Sequence, residues 1–178
     1  RNYGVTKTEA GTSFGLVLLT GGVLGVMLGP WIANLLEKRG YTDSYVRAIM
    51  YASIIAVFPA VAAPLMPTLD LTLTLLFPAT LFGGAYLGVM AASFQPITPN
   101  QLRGQTTALY IFVTNILGMA VGTSVNAAFT DFLYQDDGKL HYSIATSNAI
   151  FYPAAVILFA YCLKGYRQSV TEIGKWKL

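Results

Sequence analysis

The chain has 178 residues, of which 54% are hydrophobic and only 11% are charged, and its net charge is +3. Its mean hydropathy is +0.56. Soluble domains carry about 25% charged residues, so this chain lacks the polar surface that a water-soluble fold needs. A soluble all-α protein with buried helices is the remaining soluble alternative, but soluble helices show a charged face. The basic residues lie between and after apolar segments instead of on one face, which argues against a nucleic-acid partner.

Five uncharged segments follow one another along the chain, at positions 10–36, 48–69, 71–102, 104–130 and 142–163. Each reaches the roughly 20 residues that a membrane-spanning helix needs. The sequence therefore predicts an all-α integral membrane protein whose main partner is the lipid bilayer. The five transmembrane helices are expected at about 10–36, 46–67, 71–96, 104–132 and 143–163.

The distribution of basic residues predicts the orientation of these helices, because Lys and Arg in short loops favour the cytoplasm. Eight basic residues fall on one side of the five spans and three on the other. We therefore expect the N-terminus outside and the C-terminus inside, in a bacterial inner (plasma) membrane. The eight are Lys38, Arg39, Arg47, Arg103, Lys164, Arg167, Lys175 and Lys177, and the three are Arg1, Lys7 and Lys139.

The chain contains a short sequence motif that occurs twice. VLGVMLG at 23–29 and ILGMAVG at 116–122 both read aliphatic-Leu-Gly-x-x-x-Gly, and they are 93 residues apart. These motifs fall in the first and fourth predicted helices, which run in opposite directions. Matching helices of opposite direction, three helices apart, are typical of an inverted-topology repeat. On this reading helices three to five form one repeat, and the first helix of the other repeat precedes Arg1.

Small and polar residues share faces of three predicted helices. Small residues allow membrane helices to approach closely, and polar side chains usually face the bundle interior or a wet cavity. We therefore expect the first, third and fourth helices to be inner helices and the second and fifth to be peripheral. The polar residues that become candidates for a substrate path are Asn115, Asn126, Gln95 and Thr20. For each amide side chain, the alternative is an ordinary hydrogen bond between helices.

Several segments resemble a known family of membrane proteins. GPWIANLLEKR at 29–39 is similar to the loop after the eighth helix of major facilitator superfamily transporters, which often reads Gly-x-x-x-Asp followed by basic residues. This chain has Asn34 where the acid is usual. PNQLRG at 99–104 resembles their Pro-x-x-x-Arg-Gly loop in register. LYIFVTNILGMAVGTSVNAAFTD at 109–131 resembles the eleventh helix of Spinster-like members, and RNYGVTKTEAG at 1–11 resembles the outer loop after their seventh helix.

The resemblance implies that the chain is most of the C-terminal six-helix bundle of a major facilitator fold, without its first helix. It also implies a missing N-terminal half of the same transporter, against which this bundle rocks around a central site. The residues that would form the cytoplasmic gating loops are Arg103, Gly104, Gly29, Asn34, Glu37, Lys38 and Arg39.

Arg103 has two possible roles. It is the only charged residue between Asp70 and Asp131. As a topology anchor, it would only keep its loop in the cytoplasm. As a latch, it would hydrogen-bond to helix-end carbonyls or to Glu37 in one state of the rocking cycle.

The sequence offers little for catalysis. His141 is the single histidine and Cys162 the single cysteine, so we predict no metal site, no cofactor and no enzyme activity. Asp131 is either a solvated helix-end acid or a proton-coupling residue. The resemblance implies a secondary active transporter that moves a small organic solute or a lipid-like molecule by alternating access. The alternative is a non-transporting membrane scaffold or accessory subunit.

Overall fold

The computed structural model describes residues 6–135 and 137–176, without the side chains of residues 7, 137 and 173–176. Within these residues there are five α-helices: α1 (Lys7–Lys38), α2 (Ser44–Ala62), α3 (Leu69–Ser93), α4 (Arg103–Ala128) and α5 (Leu140–Trp176). A 3-10 turn at Ala63–Leu65 extends α2, a π-helical segment at Phe129–Tyr134 extends α4, and a second 3-10 turn at Asp137–Lys139 precedes α5.

All five helices are long and apolar enough to cross a membrane. This finding confirms the predicted all-α class with five candidate spans, and it indicates an integral membrane protein. The predicted boundaries agree to within a few residues except at the end of the last helix. The observed candidate spans are Thr8–Lys38, Ser44–Leu65, Leu69–Ser93, Arg103–Tyr134 and Leu140–Glu172.

The ends of α1 follow local rules of helix capping. At its start, the Thr6 hydroxyl accepts from the Glu9 amide at 3.3 Å, and the Glu9 carboxylate accepts from the Thr6 amide at 3.2 Å. At its end, Gly40 adopts a φ of +88°, which glycine reaches without steric cost. The Gly40 amide donates to the Glu37 carbonyl at 2.8 Å, so the chain turns sharply into α2.

The contact between α1 and α3 is the most extensive in the structure, and glycines make it possible. A Cβ atom added at Gly25 would collide with the Leu81 carbonyl, and one added at Gly29 would collide with the Ala85 carbonyl. From the other side, Gly84 lies directly against the Gly22 carbonyl. The two backbones therefore touch at a distance that only glycine permits. Near the start of α1 the glycines are not used in this way, because Gly11 and Gly15 face open space.

The predicted division into inner and peripheral helices is wrong for α2 and α4. The α2 span has the largest buried share of the five, because it packs against α1, α3 and α5 together. The α4 helix contains no buried residue and contacts the rest of the chain mainly through α5. Small side chains at Ala48, Ala52 and Ala56 let α2 enter the bundle, and the sequence reading overlooked them because it counted glycines and polar residues.

A proline just after α2 determines one contact with α5. In an α-helix the Ala60 carbonyl would accept from the amide of residue 64, but residue 64 is proline and has no N–H. The Asn148 amide of α5 donates to the Ala60 carbonyl at 2.7 Å instead. The Asn148 side chain thus satisfies a carbonyl that would otherwise be left without a donor in an apolar environment.

The C-terminal segment continues α5 as one helix to Trp176. The Tyr166 hydroxyl of this segment donates to the Ser93 carbonyl at the end of α3 at 2.9 Å. This hydrogen bond joins the last part of α5 to the end of α3.

We expect Gly25→Ala to destabilise the chain by about 1–3 kcal/mol, because the added methyl group must push α1 and α3 apart. The measurement is the free energy of unfolding in mixed micelles titrated with dodecyl sulfate. Gly15→Ala is the matched control, since an added Cβ meets open space there and alanine favours helix. Equal effects of the two substitutions would contradict the close contact.

We expect Asn148→Ala to cost about 1–2 kcal/mol, because the Ala60 carbonyl loses its donor. Introducing Pro64→Ala supplies a backbone N–H at the position that α-helical bonding requires. The cost of Asn148→Ala should therefore be smaller in the Pro64→Ala background, and a double-mutant cycle measures the difference. Strictly additive effects would show that the proline and the asparagine are unrelated.

Candidate functional site

Two of the predicted substrate-path residues are bonded within their own helices. The Asn115 amide donates to the Ile111 carbonyl at 2.8 Å, and the Thr20 hydroxyl donates to the Leu16 carbonyl at 2.7 Å. Both side chains are exposed on the surface of this chain. Each is therefore satisfied locally while remaining open to whatever lies beside α1 and α4.

Asn126 makes the interhelical hydrogen bond that was the alternative for the amide residues. Its Oδ1 accepts from the Ser147 hydroxyl of α5 at 2.6 Å. One turn later the Thr130 hydroxyl is 2.9 Å from the Ser143 hydroxyl, and both side chains are buried. This polar cluster joins the end of α4 to the start of α5 through the π-helical segment. Gln95, the fourth candidate, is exposed in the turn after α3.

The predicted gating-loop residues of α1 separate into two groups. Gly29 is buried against α3, as described above, and its role is packing. Asn34, Glu37 and Lys38 share an open depression of about 510 Å³ on the opposite surface of α1. Arg39 is exposed where α1 ends.

Arg103 is the first residue of α4 and is half-buried. Its Nε donates to the Thr98 carbonyl at 3.3 Å, within the loop that joins α3 to α4. Among the described residues it forms no ion pair with Glu37, so the Glu37 version of the latch is not observed in this conformation. Gly104 is exposed, with open space where a Cβ would lie.

The sequence reading missed a buried carboxylate at this end of the bundle. Asp43, just before α2, is 1% exposed and lies between two guanidinium groups. Arg47 Nε and Nη2 donate to its two oxygens at 3.3 and 3.1 Å. Arg167 Nη2, from the far end of α5, donates to Oδ2 at 2.9 Å. We call the three residues Asp43, Arg47 and Arg167 the Asp43 cluster.

The Asp43 cluster ties three parts of the chain together. It joins the loop after α1 to the start of α2 and to the last third of α5. The Arg47 guanidinium also lies over the Tyr41 ring at 4.3 Å, a cation–π contact that helps to hold the loop. The nearby Tyr166–Ser93 hydrogen bond adds the end of α3 to the same region.

Burial acts to raise the pKa of Asp43, but hydrogen bonds from Arg167 and Arg47 outweigh it and hold the pKa below its usual range. A carboxyl group whose pKa is lowered by folding stabilises the fold above its ordinary pKa. That stabilisation disappears as the pH falls through the lowered pKa. The cluster is therefore formed at neutral pH and is lost only in acid.

Part of this cluster has a sequence signal. Asp and Arg four residues apart across a helix start form an ion pair by helical geometry alone, and residues 43 and 47 have that spacing. Arg167 is 124 residues from Asp43, so only the folded structure reveals its contribution.

The fold and its polar contacts define an all-α integral membrane protein with five candidate spans and a charged cluster at one end. No protein-family model, no characterised protein and no solved structure matches this chain. The resemblance to major facilitator transporters therefore stays a prediction.

We expect Asp43→Asn to lower the free energy of unfolding at pH 7 by about 3 kcal/mol. This value is at the lower end of the free-energy cost of breaking a buried ion pair, because the Arg167 side chain is 54% exposed. The difference between the two proteins should shrink as the pH falls below about 4, where the carboxyl group of the unmodified chain also becomes neutral. The exposed Asp70 is the control, and Asp70→Asn should cost less than about 1 kcal/mol. A pH-independent effect at Asp43 would contradict the charged cluster.

Proposed function

We propose that the chain is part of a secondary active transporter that moves a small organic solute or a lipid-like molecule across a membrane by alternating access. In this proposal the chain is five helices of a six-helix bundle of the major facilitator type. It works against a second, N-terminal bundle of the same transporter. The membrane is the bacterial inner membrane, and the end with the Asp43 cluster faces the cytoplasm.

The observation that carries the proposal is the different packing of the two matching glycine motifs. In α1, Gly25 and Gly29 lie against the backbone of α3. In α4, Gly118 and Gly122 occupy the same motif positions, but open space surrounds them. An inverted repeat relates α4 to α1 and relates α3 to a helix that would precede α1. The glycines of α4 are therefore the expected contact surface for that helix.

The helices contain features that support a mobile bundle. Pro30, Pro59, Pro78 and Pro153 lie inside α1, α2, α3 and α5, and each removes one backbone hydrogen bond. Proline positions are points at which helices bend. The Val26 carbonyl, freed by Pro30, lies against Gly88 of α3, so the proline of α1 lies at the close contact between the two helices.

The loop between α3 and α4, which leads into Arg103, fits a gating role in this proposal. Arg103 begins the most exposed helix and donates to a carbonyl of its own loop. Its other guanidinium nitrogens remain available for carbonyls or acids of the second bundle. A lysine would supply the charge but not the fixed fork of donors.

We expect Gly118→Leu to have little effect on the stability of this chain alone, because the side chain enters open space. In the longest reading frame that contains the chain, the same change should cost about 1–3 kcal/mol, because it would separate α4 from its partner helix. Thermal unfolding in detergent measures both. Leu117→Ala, at an exposed neighbouring position, controls for general effects on α4. An equally small effect in both proteins would remove the main support for the proposal.

The transport test uses the same reading frame in proteoliposomes and a panel of organic solutes and lipids. We expect Arg103→Lys to slow flux of the transported compound with unchanged insertion, and Asn115→Ala to change its apparent affinity. Lys164→Gln serves as a basic-residue control, since Lys164 is exposed on α5 and is not one of the predicted gating residues. Absence of flux for the whole panel, with a protein that is stable and folded, would favour the scaffold or accessory alternative.

A further inference from the structure

The two arginines of the Asp43 cluster share a single carboxylate. Arg47 directs Nε and Nη2 at Asp43, and Arg167 directs only Nη2 there. A guanidinium group has five N–H donors. Within the described part of the chain, no acidic side chain other than Asp43 pairs with either arginine. The cluster therefore has an excess positive charge, with Arg167 54% exposed on its side chain.

Other charges at this end of the bundle are also mostly positive. Lys164 lies one turn before Arg167 on α5, and Lys38 and Arg39 lie at the end of α1. All three are exposed. The acids at this end, besides Asp43, are Glu37, which lines a pocket with Tyr45 and Tyr166, and the exposed Glu172, five residues after Arg167 on α5. An anion that reaches the cluster thus meets a net positive surface where helices leave the membrane.

An apolar cleft lies deeper in the same group of helices. It has a volume of about 290 Å³ and is formed by α2, α3 and α5. Phe82, Phe151 and Phe159 contribute aromatic walls, and Ser53 and Asn148 are among its few polar residues. Asn148 already donates to the Ala60 carbonyl, so the cleft offers little to a polar ligand.

The cleft and the cluster follow the same helices. Tyr86 and Phe159 line the cleft, and each lies seven residues before a member of the Ser93–Tyr166 hydrogen bond. Seven residues are two helical turns, or about 10 Å. The cleft is therefore about 10 Å further into the membrane than the Ser93–Tyr166 bond beside the arginines, within the length of a lipid acyl chain.

We propose that this region binds one anionic phospholipid, with its phosphate at Arg167 and Arg47 and an acyl chain in the cleft between α2, α3 and α5. Basic pockets between membrane helices have the chemistry to hold anionic headgroups. The charge complements a phosphate, the apolar lining complements an acyl chain, and the separation of the two matches one molecule. The site does not depend on transport, since it requires only that these helices span a membrane.

The first test is native mass spectrometry of the purified chain in detergent, titrated with phosphatidylglycerol or with phosphatidylcholine of the same acyl chains. We expect the protein to retain one molecule of phosphatidylglycerol and to prefer it to phosphatidylcholine by at least about fivefold. One basic side chain near a membrane surface provides a preference of this size. Arg167→Gln should reduce the preference about fivefold. Lys139→Gln, a basic residue just before the opposite end of α5, should leave it unchanged. Equal binding of the two lipids, or an equal loss in both variants, would overturn the site.

Asp43→Asn separates lipid binding from a purely structural role of the arginines. If the phosphate shares the guanidinium groups with Asp43, removing the carboxylate charge should strengthen phosphatidylglycerol binding by about fivefold. If the arginines serve only to hold Asp43, the preference should stay the same or fall. Circular dichroism establishes whether the variant keeps its helical content. If the variant unfolds, the cleft substitutions decide whether the lipid binds.

The cleft substitutions test the acyl-chain part of the site. Ala155 lines the cleft, and its neighbour Ala154 is exposed and does not line it. Ala155→Trp should weaken retention of phosphatidylglycerol about tenfold by filling the cleft, while Ala154→Trp should not. Inorganic phosphate in millimolar excess should fail to displace the lipid. Equal effects of the two tryptophans, or displacement by phosphate, would overturn a phospholipid site.

Discussion

The close contact of α1 with α3 is the constraint on which the rest of the bundle depends. Between membrane helices there is no hydrophobic driving force, so association relies on close packing. Gly25 and Gly29 allow the two backbones to touch. With α1 and α3 this close, α2 lies against both, and its alanines are buried in the bundle. The α5 helix then packs on α2, while α4 is left at the margin.

Backbone carbonyls impose the second constraint, because an apolar solvent satisfies none of them. Prolines inside four of the helices, and Pro64 just after α2, leave backbone carbonyls without their usual donors, and the structure supplies specific partners for two of these carbonyls. Asn148 donates to the Ala60 carbonyl, and the Val26 carbonyl lies against Gly88, where a Cα–H group gives a weaker contact. Proline positions in this chain are therefore also positions at which helices are joined.

The number of helices and the all-α membrane class could be predicted from the sequence. The uncharged apolar segments show directly how long each helix is and that its surroundings are apolar. The glycine motif of α1 was also informative, because glycine between membrane helices mainly serves to let the two backbones approach closely. The predictions for α2 and α4 were wrong because alanines carry no visible pattern and because exposure depends on which neighbours are present. The polarity of Asn115 and Thr20 marks one face of each helix, but it does not reveal that each side chain donates to its own i−4 carbonyl. Arg167 could not be assigned to Asp43, since spacing of 124 residues leaves no local signal.

The length of α5 has a mechanical consequence. Its 37 residues extend about 55 Å, whereas a bilayer core is about 30 Å thick. The helix is held where it leaves the other helices, by Arg167 on Asp43 and Tyr166 on Ser93. These two bonds form a fulcrum, and the segment beyond them is a stiff lever arm. About 39 Å of the helix lies before these bonds and only about 14 Å beyond them, so a tilt of α5 within the bilayer reaches Trp176 as a smaller sweep. A molecule that binds this short arm must therefore apply a correspondingly larger force to oppose movements deep in the membrane.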